Sequence, residues 1–483
     1  MRRKAKAPRR AARYRAAAAG LAGLGLGELV SATNGQSLID NVGRSVVDWS
    51  PRQVVDLTVK LLSSRDKPAI RAAVGATAIS TTVALARLPT AARTAALTAL
   101  ATATAGLALR RPPRSVPAAL AAATAGAVTT SYALSGSSGP GRATAWVLLG
   151  SGSLVAARSL LASRRRRHEI ETQRPLDSAA VPEDGAEAVP GLAPLITPAD
   201  QFYVTDVNLS TPLIEENRWQ LTIMGLVGET QRWSLADLMA EAEEFDAVMV
   251  CVHNPVGGHR LGNGRWHGVP LRTLLERAAP SAEADTLVTR AVDGFTVSLP
   301  TEPLRSGKWK GYVVVGLNGR PLSAAHGYPA RVFVPGIYGQ YTGVKWLTEL
   351  ELTTGPHSDY WSPRGWPHEP AWIQPQARID VPAEGLRAGR PLQVAGVAWA
   401  PPHGIAGVDV RADNGPWQPA KLARELSPSS WRRWTAALDL VPGAHSVQAR
   451  AISRSGEVQD SRERPPYPVG ASGWHTVAVH VSS

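Results

Sequence analysis

The feature that most constrains the fold is a change in sequence texture near residue 168. Before it, long stretches carry almost no charge and are rich in Ala, Leu, Gly and Thr. After residue 197, short apolar runs alternate with turn residues, which is typical of a globular chain of strands and helices. The chain is therefore predicted to be multi-domain, with boundaries at 1–167, 168–197, 198–372 and 373–483.

The first part contains five stretches close to the length, about 17–25 residues, that a helix needs to cross a bilayer. They are 16–33, 69–86, 94–109, 116–135 and 143–163. Their small residues favour helix packing inside a membrane, and the spaced charges of 37–65 fit a helix at the membrane surface. We predict an N-terminal α-helical transmembrane region and a multi-pass location in the cell membrane. A water-soluble, Ala-rich helical bundle is the alternative.

The charge of the chain is strongly basic. Lys and Arg number 52 against 39 Asp and Glu, which gives a net charge of +13, and the first fifteen residues carry much of the excess. Because an apolar stretch follows this tail, it is interpreted as a membrane flank, and no nucleic-acid partner is expected. The cluster Arg164–Arg167 conflicts with five spans, and Arg9-Arg10 resembles a weak export signal. The side of the membrane that carries the catalytic domain stays open.

Residues 168–197 are rich in Pro, Ala and Glu and are predicted to form a linker. In 198–372, alternation from Trp219 to Val227 predicts a strand, Ser234 is positioned to cap a helix, and Asn318-Gly319 predicts a hairpin turn. The mixture indicates one α+β domain. Residues 373–483 alternate at period two, with turns at Asn414-Gly415 and Pro442-Gly443, which predicts an all-β Ig-like sandwich.

Cys251 is the only cysteine in 483 residues. It follows an apolar run from Ala247 that predicts a strand, and a loop rich in Gly, Asn and His follows it, ending in a predicted helix over Leu271–Arg277. A single cysteine cannot form an internal disulfide, so it serves either packing or chemistry. Free cysteines are commonly buried as small apolar residues, but the polar residues after Cys251 make poor core material and favour chemistry.

Two separated blocks carry a resemblance to a known family. After the cysteine, a Gly-Asn-x-x-Trp-x-Gly-x-x-Leu run resembles the cofactor-binding signature of the sulfite oxidase family of molybdenum enzymes: Gly262, Asn263, Trp266, Gly268 and Leu271. The block HGYPARVFVPGIYGQYTGVKW, from His326 to Trp346, is similar to a second family motif. The resemblance extends from about residue 198 to the C-terminus and implies a sulfite-oxidase-like molybdopterin-binding domain for 198–372.

The resemblance implies a molybdenum–molybdopterin cofactor, with Cys251 as the metal ligand and catalytic residue. A soft thiolate suits such a metal. The resemblance further implies these cofactor-binding residues: Asp200, Tyr203, Val204, His253, His326, Arg331, Gly343 and Lys345. Arg331 and Lys345 would bind the phosphate, and Gly343 would let the backbone approach. The ordinary alternatives are surface charges for the two cations and a loop-structuring hydrogen bond for His253.

The implied reaction is oxygen-atom transfer coupled to a two-electron change. Sulfite-oxidising relatives carry arginines where this chain has Thr205 and Asp206, and again where it has Asn254 to Val256, so a sulfoxide, sulfite or a related small oxide stays open as substrate. The Trp-rich segment 359–367 is predicted to edge the substrate mouth.

The chain has no C-x-x-C-H haem motif. We therefore expect a separate redox partner, a cytochrome or quinone system, and the resemblance implies a homodimer through the C-terminal domain. The competing hypothesis is a cofactor-free, membrane-anchored binding or scaffold protein built from the same two domains.

Overall fold

A computed structural model describes residues 66–108 and 164–482 except 187, 188, 206 and 209, together with isolated positions before residue 51 and at 129 and 130. The chain divides into two compact units. The first unit comprises Met1–Glu169 and Asp206–Leu213, and the second comprises Ile170–Thr205 and Ile214–Ser483.

The described core of the first unit is a pair of helices, α1 (Asp66–Leu85) and α2 (Thr90–Ala108). Ala is the strongest helix former, and both helices are rich in it. Threonine hydroxyls on α2 bond to carbonyls one turn earlier, as Thr94 does to Thr90 at 3.0 Å and Thr104 to Leu100 at 2.7 Å. These bonds satisfy the hydroxyls locally and leave the helices with a weakly apolar surface.

The predicted transmembrane region is wrong for the part of the chain that the structure describes. No described helix is long and apolar enough to cross a bilayer, so the predicted multi-pass location in the cell membrane is contradicted as well. The membrane as a partner stays a prediction. Stretches 69–86 and 94–109 do form helices, but Ala and Thr contribute little to transfer into hydrocarbon compared with Leu, Ile and Phe. The remaining stretches lie largely outside the described residues: 16–33, 37–65, 116–135 and 143–163.

The second unit begins with an α+β domain built on two sheets. Its elements in chain order are β1 (Leu221–Gly225), β2 (Gln231–Trp233), α3 (Leu235–Glu241), β3 (Glu243–Val250), β4 (Leu261–Pro270), α4 (Leu271–Ala278), β5 (Thr286–Ala291), β6 (Thr296–Pro300), α5 (Thr301–Arg305), β7 (Tyr312–Leu317), β8 (Arg320–Pro321), β9 (Arg331–Phe333), α6 (Gly339–Thr342) and β10 (Leu347–Thr353). One sheet has the order β2-β1-β10-β5-β6, and the other has β3-β4-β7-β8 with β9 also paired to β7.

Local sequence signals explain several of these elements. Ser234 caps α3 as predicted, in a capping box in which the Asp237 amide donates to the Ser234 hydroxyl at 3.2 Å. Asn318 and Gly319 adopt φ of 53° and 71°, which confirms the predicted hairpin turn, here between β7 and β8. The helix predicted over Leu271–Arg277 is α4.

The loop predicted to run from Cys251 to the helix at Leu271 is too long. Residues 261–270 form β4, which pairs with both β3 and β7 and is buried except at Pro270. Its glycines serve close packing, because a Cβ on Gly262 would lie 2.7 Å from the ring of Phe202. Polar and Gly-rich composition suggested a loop, whereas the surroundings on both faces of the strand decide its conformation.

The C-terminal part of the second unit is a β-sandwich. Its strands are β11 (Gln376–Val381), β12 (Arg387–Ala388), β13 (Leu392–Trp399), β14 (Ile405–Ala412), β15 (Gln418–Pro419), β16 (Lys421–Leu422), β17 (Arg432–Leu438), β18 (Gly443–Ser453) and β19 (His475–Val481). Sheets of order β11-β13-β17-β16 and β12-β19-β18-β14-β15 enclose an apolar core around Trp434. The turn predicted at Asn414-Gly415 is centred one residue earlier, with φ of 51° at Asp413 and 59° at Asn414.

The segment predicted as a linker is an ordered strap along both domains. The Leu176 amide donates to the Gly319 carbonyl at 2.9 Å, and the Thr197 amide donates to the Asn263 carbonyl at 2.8 Å. Between these two residues, the Ala193 amide donates to Asp380 in the sandwich at 3.1 Å. Proline-rich composition predicts an extended segment, but these hydrogen bonds fix its path.

The sandwich also contacts the strands that position Cys251. The Val248 amide of β3 donates to the Ser429 carbonyl at 2.9 Å, and Arg378 of β11 donates to the Gly258 carbonyl in the loop after Cys251 at 3.1 Å. The cysteine loop is therefore supported from both domains.

Candidate active site

Cys251 lies at the end of β3, where the chain leaves the sheet. Its amide donates to the Arg260 carbonyl at 2.9 Å, and the Arg260 amide donates to the Asn254 side chain at 2.8 Å. These two bonds close the loop 251–260 on itself. The thiol is buried, so the loop holds the sulfur in a defined place.

Two hydrogen-bond donors act on the sulfur. They are the His253 amide and the Thr205 hydroxyl. Burial raises the pKa of the Cys251 thiol, against the opposing effects of the His253 amide, the charge of Arg260 and the Thr205 hydroxyl. Burial also raises the pKa of Tyr203 and brings that of Tyr338 to about 12, with the charge of Cys251 contributing to each. Two neutral phenols therefore lie near the sulfur.

Arg331 is a buried cation without an anionic partner. Its side chain donates to the His326 carbonyl at 3.1 Å and lies 3.3 Å from the Met249 sulfur, and its Nε has no hydrogen-bond partner. No carboxylate of the described residues forms an ion pair with it. Burial lowers the pKa of Arg331 to about 10, so it stays charged at neutral pH. Such a group is expected to receive an anion.

Next to Arg331 the backbone forms a cradle at the end of α6. A Cβ on Gly343 would overlap the Gly339 carbonyl oxygen and lie 3.3 Å from Arg331 Nη2. The Thr342 hydroxyl and both polar atoms of the Gln340 amide are buried and have no hydrogen-bond partner. These unsatisfied groups could bond to a flat, polar ligand lying on the cradle.

Lys345 and His326 surround the same cradle. Lys345 is buried and donates to the Ala325 carbonyl at 2.9 Å. His326 contacts Ser323 at 2.8 Å and the Phe202 carbonyl at 3.3 Å, and burial together with Arg331 lowers its pKa to about 4. The imidazole is therefore neutral at pH 7 and, because a carbonyl only accepts, its Nε2 carries the proton. His326 holds the segment at Phe202, and its predicted bond to the pterin stays a prediction.

The structure brings most of the predicted site residues together. Tyr203 reaches α6, since a Cβ on Gly339 would lie 3.2 Å from its hydroxyl oxygen. The ring of His253 packs edge-on to Trp366 at 5.5 Å. In contrast, Asp200 and Val204 are exposed, with Val204 48% exposed. Asp206 lies outside the described residues.

Sequence reasoning did not single out several residues of the site. Tyr338, Gln340 and Thr342 all lie inside the second motif block, so their position in the sequence was available as a signal. Tyr467 was not detectable in this way, because it belongs to the sandwich and reaches the site only in the folded chain, where its ring packs 4.6 Å from Trp366. The Trp-rich segment 359–367 does lie beside the cysteine loop, through Trp366.

The signature residues after the cysteine are structural in this chain. Asn263 is fully buried and accepts the Trp431 amide at 3.2 Å. Trp266 donates to the Ala247 carbonyl at 3.0 Å and packs against Phe202 at 5.3 Å. They fix the strands and the opening segment around the sulfur.

Comparison with known proteins agrees with this geometry. Residues 208–361 match the model of the oxidoreductase molybdopterin binding domain. Human mitochondrial sulfite oxidase is 24% identical over 371 residues, which cover 65% of this chain and 66% of that protein. The uncharacterized oxidoreductase YuiH of Bacillus subtilis is 29% identical over 150 residues, covering 31% of this chain and 72% of that protein.

A solved structure supports the fold. The sulfane dehydrogenase SoxCD from Paracoccus pantotrophus superposes with a TM-score of 0.51 at 22% identity, covering 64% of this chain and 91% of that one. At this identity the likeness concerns the fold alone.

Proposed function

Because the chain belongs, through residues 208–361, to the sulfite oxidase family of molybdopterin-dependent oxidoreductases, we propose that Cys251 ligates its molybdenum and that the enzyme transfers an oxygen atom from a neutral sulfoxide. Two observations carry the proposal: a buried thiol with two donors acting on its sulfur, and a buried guanidinium that pairs with no carboxylate of the described residues. The cofactor is molybdenum–molybdopterin, which excludes the cofactor-free scaffold.

The residues of the site fit this cofactor. A thiolate is a soft donor suited to the metal, and hydrogen bonds from the His253 amide and the Thr205 hydroxyl orient it. Arg331 and Lys345 supply positive charge for the phosphate, as predicted from the sequence. The unsatisfied Thr342 hydroxyl and Gln340 amide suit the polar edge of a flat pterin.

The bound cofactor supplies the exchange of an oxygen atom together with two electrons. The balanced reaction is sulfoxide plus two electrons and two protons giving sulfide and water. The protein's own contribution is to bind and orient the substrate and to supply hydrogen bonds. The neutral phenols of Tyr203 and Tyr338 each hold a proton that can be donated as a hydrogen bond to the sulfoxide oxygen. The electrons come from a separate one-electron partner, a cytochrome or quinone system.

The charge around the sulfur supports a neutral substrate. The charged side chain that lowers the pKa of the Cys251 thiol is Arg260, an exposed residue. A sulfite dianion needs several cations in a dry site to replace its hydration. One exposed arginine is a weak anion site.

The ligand assignment is tested with the full chain produced in a host that makes the cofactor. Cys251→Ser should retain pterin, measured by fluorescence after oxidative release, and lose sulfoxide reduction with a reduced viologen dye as electron donor. Full turnover in Cys251→Ser would overturn the assignment, as would wild-type protein without molybdenum by mass spectrometry.

Sulfite is the second candidate substrate, and Arg260 is the observation that favours it. Oxidation of sulfite with ferricyanide as acceptor measures this activity directly. If sulfite is the substrate, Arg260→Gln should raise its KM about tenfold, the loss of one charge-assisted hydrogen bond of roughly 1.4 kcal/mol. Wild-type turnover of sulfite but of no sulfoxide would refute the substrate half of the proposal and leave the ligand half standing.

A further inference from the structure

A group of aromatic rings packed edge to face lies beside the cysteine loop, and both domains contribute to it. The ring of Trp366 packs edge-on to His253 at 5.5 Å, to Trp361 at 5.4 Å and to Tyr467 at 4.6 Å. The Tyr467 hydroxyl donates to the Gly365 carbonyl at 2.9 Å. We call His253, Trp361, Trp366 and Tyr467 the aromatic wall.

Backbone contacts place this wall close to the sulfur. The wall begins at His253, two residues after the proposed metal ligand Cys251. The His253 amide also acts as a hydrogen-bond donor to the Cys251 sulfur. The sandwich segment that carries Tyr467 also packs on Tyr338, because a Cβ on Gly470 would overlap the Tyr338 hydroxyl. The charge of Cys251 in turn contributes to the raised pKa of Tyr338. The segment is therefore anchored on both sides of the site.

The wall has a buried base and an accessible edge. Trp366 is 8% exposed, whereas Tyr467 is 39% exposed. Trp361 is fixed from behind by its indole, which donates to the Gln340 carbonyl at 2.9 Å. An aromatic surface held in this way is suited to apolar and aryl groups, because ring pairs attract one another beyond the effect of the area they bury.

We propose that the aromatic wall is a substrate subsite for the apolar or aryl substituent of the sulfoxide, and that Tyr467 of the C-terminal sandwich is its specificity-determining residue. This inference rests on the proposed function. With such a subsite, the C-terminal sandwich takes part in substrate choice as well as in any dimer. Aryl sulfoxides are then better substrates than dimethyl sulfoxide.

The test compares reduction of methyl phenyl sulfoxide and dimethyl sulfoxide by the molybdenum-loaded full chain. In Tyr467→Ala, kcat/KM for methyl phenyl sulfoxide should fall about tenfold through KM, whereas dimethyl sulfoxide should change less than about twofold. Tyr467→Phe keeps the ring and should keep the preference. Trp417→Ala is the matched control, since Trp417 is a sandwich aromatic that contacts Trp474 and Arg411 instead of the wall.

The outcomes separate the two proposals. Equal losses for both sulfoxides, or no loss for either, would overturn the subsite and leave oxygen transfer intact. If the wild type reduces neither sulfoxide, the proposed function fails, and calorimetric titration with methyl phenyl sulfide then tests the subsite alone. Binding that is lost in Tyr467→Ala but kept in Tyr467→Phe supports the subsite, and equal binding by the wild type and Tyr467→Ala refutes it.

Discussion

Replacing Arg331 by Met should have opposite effects on the cofactor-free and cofactor-loaded proteins. Arg331 is 6% exposed and its Nε has no hydrogen-bond partner. If its charge is kept for the cofactor, the charge should destabilise the fold when the cofactor is absent. Arg331→Met keeps much of the apolar volume and removes the charge. We therefore expect a more stable cofactor-free protein that binds the cofactor poorly.

The magnitude follows from the effect of burial on the guanidinium. Burial lowers the pKa of Arg331 from its ordinary value of 12.5 to about 10. The difference corresponds to a cost of roughly 3 kcal/mol for holding the charged form in the folded state at neutral pH. Arg331→Met also loses the hydrogen bond to the His326 carbonyl, worth about 1 kcal/mol. The net expectation is a gain of about 1–2 kcal/mol in the free energy of unfolding.

The measurement is urea unfolding of full-length protein from a host that cannot make the cofactor. Arg378→Met is a matched control, since Arg378 is 5% exposed and its Nε lies 2.6 Å from Asp380. Removing Arg378 leaves a buried carboxylate unpaired, which should cost about 3–5 kcal/mol. In the cofactor-producing host, Arg331→Met should contain much less pterin than the wild type.

Two results would refute this reasoning. If Arg331→Met destabilises the cofactor-free protein as much as Arg378→Met does, the guanidinium is a structural group. If Arg331→Met retains the wild-type pterin content, the charge does not serve the cofactor.

The remaining predictions concern the cradle and its histidine. Gly343→Ala should lower the pterin content several-fold, because the added Cβ would overlap the Gly339 carbonyl oxygen. Gly389→Ala is the control and should not lower it, because nothing lies within 4 Å of its added Cβ. An unchanged pterin content in Gly343→Ala would contradict the role of the cradle. The pKa of His326 is lowered to about 4 in the folded state. Below about pH 6.5 the unfolded chain therefore binds more protons than the folded one. The free energy of unfolding should fall by up to roughly 3 kcal/mol between pH 6.5 and 4. Urea unfolding across that range should show the slope in the wild type and a smaller one in His326→Gln, and equal slopes would contradict the assignment.

Local signals in the sequence anticipated the elements whose conformation depends on a few neighbouring residues. The cap at Ser234, the turn at Asn318-Gly319 and the helix starting at Leu271 all appear where predicted. A short polar side chain at a helix start and a residue tolerant of positive φ act within one turn of the chain, so their effect can be inferred from the sequence.

The errors arise where composition was used in place of surroundings. Uncharged, Ala-rich stretches suggested membrane spans, but low charge alone does not make a helix apolar enough to cross a bilayer, and α1 and α2 are not. Gly and Asn in 261–270 suggested a loop, but strands on either side and the ring of Phe202 make it a buried strand.

By itself, the sequence determined that one sulfur, two cations and a glycine-bearing motif exist in an order that resembles a molybdenum enzyme. Only the tertiary structure decided that Arg331 is buried without an ion pair to a described carboxylate and that Asp200 lies at the surface. It also decided that Tyr467 of the sandwich packs against Trp366, whose ring contacts His253 of the cysteine loop. The physical reason is that residue type and short-range spacing set chemistry and local conformation. Burial, counter-ions and contacts between distant segments arise only when the whole chain packs.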